Sequence, residues 1–90
     1  MRRRVGLNVT DAQIAAAILD AAVRRGKDKT LCPSEVARAF ASDWRPLMDR
    51  VRRVASDLAL KGDIAVTQKG KQVDPRSARG PIRLGLPSSG

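Results

Sequence analysis

Ninety residues allow one small domain with a modest core. The chain carries a formal charge of +9, with one cysteine, one tryptophan, one phenylalanine, and no histidine or tyrosine. A single cysteine excludes an internal disulfide, the missing histidines remove the usual zinc clusters, and the few aromatics argue against single-strand binders and RNA-binding sheets, which stack bases on such rings.

The first nine residues, with Arg2, Arg3 and Arg4, read as a flexible basic arm. "MRRRVGL" has the charge of a secretory leader, but Asn8, Asp11, Gln13 and Asp20 interrupt the apolar segment a leader requires. No apolar run is long enough to span a bilayer, so a cytoplasmic protein is expected.

"TDAQIAAAILDAAVRRG" (10–26) predicts the first helix. Thr10 and Gln13 have capping-box spacing, and Ile14, Ala17, Ile18, Ala21 and Ala22 share one face. Arg24 and Arg25 suit the negative end of the helix dipole, and Gly26 can end the helix. "KDKTL" is a polar connector with room for a short extended segment at Thr30–Leu31. "PSEVARAF" (33–40) predicts a second helix with Pro33 at its first position and Val36, Ala37 and Phe40 inward. Cys32, just before it, reads as a small buried apolar residue with no cation beside it.

A third helix is expected from Trp44 to Lys61, capped by Asp43 or Ser42. Leu47, Met48, Val51, Val54, Ala55 and Leu58 form its apolar stripe, with Arg45, Asp49, Arg52, Arg53 and Ser56 opposite and Arg50 and Lys61 on a flank. "DIAVTQ" (63–68) alternates as a strand, "KGK" (69–71) is a tight basic turn, and "PIRLGL" (81–86) alternates again. The last residues, 87–90, read as a disordered tail. The fold class is therefore α+β, a winged helix-turn-helix of three helices followed by a small β-hairpin or ribbon, with one domain over 10–86.

"CPSEVARAF", "DWRPLMDRVRRVASDLALKGDIAVTQKGK" and "VDPRSARGPIRLGL" resemble, in this order, a family of small bacterial proteins catalogued as a domain of unknown function. That family is placed among winged-helix folds. The resemblance implies the fold and a bacterial cytosolic setting, and brings no activity with it.

Charge placement points to a polyanion partner. Residues 11–68 hold ten basic and eight acidic side chains, whereas residues 69–90 hold five basic and one acidic. The excess thus sits at the two ends of the chain, where it would speed encounter with nucleic acid or simply face water. An enzyme is not expected, since no acid pair or phosphate loop is in place. No cofactor or metal is expected either. The expected partner is double-stranded DNA, bound as a regulator of transcription would bind it; a protein-docking module is the alternative. The candidate DNA-binding residues are Arg45, Asp49, Arg52, Arg53 and Ser56 on the third helix, Lys69 and Lys71 at the hairpin tip, and Arg2, Arg3 and Arg4 in the arm. Arg45 and Arg52 are the expected base readers, because arginine pairs bidentately with guanine. Trp44 is expected to anchor the turn between the second and third helices. In "DPRSARGP", anion binding by the two arginines and a turn that locks the last strand remain equal alternatives.

Overall fold

Thr10 caps the first helix as its spacing predicts. In the computed structural model, which describes residues 9–27 and 29–87, the Thr10 side chain accepts from the Gln13 amide, and the Gln13 side chain accepts from the Thr10 amide. Helix α1 then runs over Asp11–Arg25 and buries Ile14, Ile18 and Ala22. Val9, counted in the expected arm, is a correction: it is buried in the core.

Strand β1 is Thr30–Leu31, and helix α2 is Pro33–Phe40. Glu35 reaches back to accept from the Cys32 amide, which satisfies a donor that the short helix would otherwise leave free. The third helix begins differently from expectation. Arg45–Leu47 form a 3-10 turn, and only Met48–Leu60 are α-helical (α3). Trp44 already has helical dihedrals (φ −88°, ψ −15°), and no side chain caps either start. Neither Asp43 nor Ser42 serves as the expected cap. Pro46 sits inside the 3-10 turn, where its missing amide costs least.

After α3, strands β2 (Ala65–Gln68), β3 (Lys71–Gln72) and β4 (Arg83–Gly85) complete a four-stranded antiparallel sheet in the order β1-β4-β2-β3. The expected hairpin is thus enlarged: β4 pairs with both β1 and β2, so the segment between α1 and α2 becomes part of the sheet. Ile64, Val66, Ile82 and Leu84 alternate inward as predicted, and Leu86 is half-buried. They join Leu31, the inner faces of all three helices and a fully buried Val51 in one cluster. Burial of each such side chain is worth about 1.5–3 kcal/mol, which holds α3 against both other helices and the sheet. The arrangement is α+β, three helices with a small antiparallel sheet, and is compatible with a winged helix.

Candidate nucleic-acid interface

The hairpin between β2 and β3 turns on two residues with positive φ, Lys69 (54°) and Gly70 (82°). Gln68 faces Lys71 across it. A two-residue turn of this hand matches the twist of the strands, and glycine enters it without cost. Lys69 does not, since left-handed backbone costs a side-chain-bearing residue about 1–2 kcal/mol. Both lysines are exposed.

From Asp74 to Gly80 the chain folds back onto α3. The Asp74 carbonyl accepts from the amides of Ser77 and Ala78, and its Oδ1 accepts from the Arg76 amide at 2.9 Å. The Arg52 guanidinium donates to the carbonyls of Ala78 (2.9 Å), Pro75 (3.3 Å) and Gly80 (3.4 Å). From the strand side, the Gln68 amide nitrogen donates to the carbonyls of Arg79 and Pro81. The loop backbone is pinned from two elements, so the side chains of Arg76 and Arg79 are left exposed at its surface. Between this loop and α3 lies an open cleft of about 460 Å³, lined by Asp49, Arg52, Arg53, Arg76 and the loop itself.

The expected contact residues divide accordingly. Arg52 is a correction: its guanidinium is engaged by three loop carbonyls, two of them on Nη2, which leaves no free edge for the expected bidentate pairing with a base. Ser56 is a second correction, since it is buried (3% exposed) and its hydroxyl donates to Asp74 Oδ1 at 3.3 Å. Arg53 is exposed but pairs with Asp11 Oδ2 at 3.3 Å, alongside Arg50, which bonds Asp11 Oδ1 at 2.9 Å and the Val9 carbonyl at 2.7 Å. The Arg50 hydrogen bond is the main cause holding the Asp11 carboxyl below its ordinary value; partial desolvation opposes it, and Arg53 assists. Asp49 is exposed on the cleft wall. Arg45 is exposed, with its guanidinium carbon 4.8 Å from the centroid of the Trp44 ring. Arg2, Arg3 and Arg4 lie outside the described residues, as does the expected tail beyond Pro87.

Arg76 and Arg79, for which anion binding and a strand-locking turn stood as equal alternatives, lie within the pinned loop with exposed side chains. Two further groups were not among the candidates. Arg38 on α2 also lies 4.8 Å from the Trp44 ring centroid. Arg83 on β4 donates to Thr30 Oγ1 and to Cys32 Sγ, both at 2.9 Å. The expectation that no cation neighbours Cys32 is thereby corrected, and Cys32 is half-buried, not buried. Next to it, the Cys32 amide and the paired Arg25 hold the Glu35 carboxyl below its ordinary value against partial desolvation.

This frame, a helix start, a basic hairpin and a pinned arginine loop, lies inside a family match. The model of a family described as "Protein of unknown function (DUF3253)" covers residues 11–87. The chain belongs to that family. The DUF3253 region includes α3, the hairpin and the whole 74–80 loop, so every described candidate residue falls inside it. No curated protein matches the chain. Among the described residues, no helix is long and apolar enough to cross a membrane, and no group of three acidic, cysteine or histidine side chains could hold a metal ion.

Proposed function

We propose that this DUF3253 domain is a cytosolic winged-helix protein that binds double-stranded DNA, without catalysis or cofactor, and that the segment 69–80 leads the contact. The observation that carries this reading is the charge of that segment. Lys69, Lys71, Arg76 and Arg79 are all exposed, while its one acid, Asp74, is engaged by Ser56 and the Arg76 amide. Four cations on a hairpin and a pinned loop suit phosphates, whose contacts position a protein without reading sequence. Lys69 adds weight: a strained position filled by a cation, where asparagine or glycine would fit more easily, is the pattern of a functional residue.

The exposed line of α3 supports a backbone-led mode. Asp49, Arg53 and Asp57 alternate along it, and Arg53 is paired, so this face offers little net attraction to phosphate. Arg45, exposed at the start of the helix beside Trp44, is a further cation on this side of the domain. A docking role draws on one observation, the exposed Leu60 (79%) at the end of α3. Titration of labelled protein with a random-sequence duplex, followed by amide shifts, separates the two. Shifts at Arg45, Lys69–Lys71 and Arg76–Gly80 are expected. An absence of shifts at low salt, or shifts confined to the end of α3, would overturn the DNA reading.

A further inference from the structure

The turn between α2 and α3 carries an arrangement that the wing does not use. Arg38, from the last turn of α2, and Arg45, from the 3-10 turn that leads into α3, both place a guanidinium carbon 4.8 Å from the ring centroid of Trp44. Sharing one ring confines the two charges to within about 10 Å of each other, since each lies in cation–π range of the same centroid. Like charges do not gather this way on their own account. Here the ring face offsets part of their repulsion, and the ring itself is held by the fold, because Trp44 is half-buried against the core.

Among the described residues neither guanidinium has another partner. Among the described residues the ion pairs of arginine are those of Arg24, Arg25, Arg50 and Arg53, and no hydrogen bond is made by the side chain of Arg38 or Arg45. Asp43 lies close in sequence, and it pairs with neither. Both arginines are exposed. Most arginines of the helices and sheet differ: Arg25, Arg50, Arg52, Arg53 and Arg83 are all tied to carboxylates, carbonyls or side chains of the chain. A guanidinium stacked on an aromatic face keeps its edge donors pointed away from the ring and loses little further freedom when they bind a planar or tetrahedral oxyanion.

We infer that Trp44, Arg38 and Arg45 form a clamp for the sugar–phosphate backbone of duplex DNA at the α2–α3 turn. This rests on the DNA-binding reading above and deepens it by adding a second anchor. The seven positions from Arg45 to Arg52 span roughly 10 Å along the helix axis. The clamp and the Arg52-pinned loop thus lie at different points along α3. The clamp and the wing would therefore meet backbone at different places, with α3 between them.

The chain contains its own probe. Trp44 is the sole tryptophan and there is no tyrosine, so ultraviolet-excited emission reports on this ring directly. The test is a titration of the full chain with a random-sequence duplex carrying a fluorophore at one end, at low salt, read by duplex anisotropy and by Trp44 emission. In the wild type, Trp44 emission is expected to change with the same midpoint as the anisotropy. The pair Arg38→Ala with Arg45→Ala, whose side chains are exposed, is expected to keep a wild-type circular-dichroism spectrum. It should bind about tenfold more weakly and show no emission change, and its log affinity against log salt should flatten by about 0.9 for each phosphate that the clamp no longer neutralises. In Lys69→Ala with Lys71→Ala the emission change should survive at saturating duplex. If the wild type binds duplex while Trp44 emission stays constant, or if the arginine pair binds within twofold of wild type, the clamp is wrong and the DNA reading stands. If the wild type does not bind duplex at low salt, both fall together.

Discussion

The guanidinium of Arg52 donates to the carbonyl of Ala78 at 2.9 Å, across 26 positions of sequence. That contact converts a residue on the polar side of a helix into the pin of a distant loop. It shows how a helical wheel, which sees only the helix, misassigns an arginine whose partner arrives from elsewhere in the chain.

Arg52→Ala should loosen the 74–80 loop without unfolding the core. Three carbonyls are deprived of a charged donor, and a destabilisation of about 1–2 kcal/mol is expected for a partly exposed network of this kind. Hydrogen exchange should rise at the Ser77 and Ala78 amides, while amides in the middle of α1 stay protected. Equal acceleration in both places would refute the pinning role.

Val51→Asp should abolish folding. Val51 is fully buried in the centre of the α3 stripe, and an unpaired carboxylate there costs more than a marginal domain can absorb. A helical circular-dichroism spectrum with an unchanged Tm would show that the face assignment is mistaken.

These two neighbours illustrate what was legible. Val51 was readable because helical periodicity alone puts it inside, and the Thr10–Gln13 box because it is contained in four consecutive residues. The alternation that buries Ile82 and Leu84 is equally local. Ser56 and Arg52 were misread because Asp74 and the loop carbonyls come from 18 to 28 residues away. The 3-10 start of α3 was missed for a subtler reason. Asp43 and Ser42 are good caps by type, yet Trp44 is already helical, so the free amides do not face them. The Arg38–Trp44–Arg45 stack depends on the angle between two helices, which residue spacing does not encode.

Acidification should weaken the link between α1 and α3. Arg50, assisted by Arg53, holds the folded-state Asp11 carboxyl below its ordinary value. The unfolded chain therefore takes up this proton first, and the stabilisation is present above the ordinary value and fades as pH falls through the folded one. The window lies below about pH 4. Because the pair is exposed, added salt should shrink the effect. Thermal melts of wild type and Asp11→Asn between pH 5 and 3 provide the check: the advantage of the wild type over the variant should shrink as pH drops. A constant difference across that range would mean that the ion pair contributes nothing.

Lys69→Asn should separate stability from binding. Asparagine tolerates positive φ better than lysine, so relief of backbone strain should raise Tm by a few degrees, an upper figure of about 1 kcal/mol. The same change removes a cation from the hairpin tip and should weaken duplex binding. A variant that melts lower, or that binds as tightly as wild type, would contradict the role assigned to this turn.

If the hairpin tip and the pinned loop over 69–80 grip phosphates, the salt dependence of binding will report it most directly. Affinity for a random-sequence duplex should be measured over a series of salt concentrations for the wild type and for a variant with Lys69, Lys71, Arg76 and Arg79 all changed to Ala. Each phosphate contact contributes about 0.9 to the slope of log affinity against log salt, so the wild type should show a steep line and the variant one shallower by roughly 2 to 4. Lines of equal slope, from a variant that remains folded, would contradict the claim and leave the exposed cations as solvated surface.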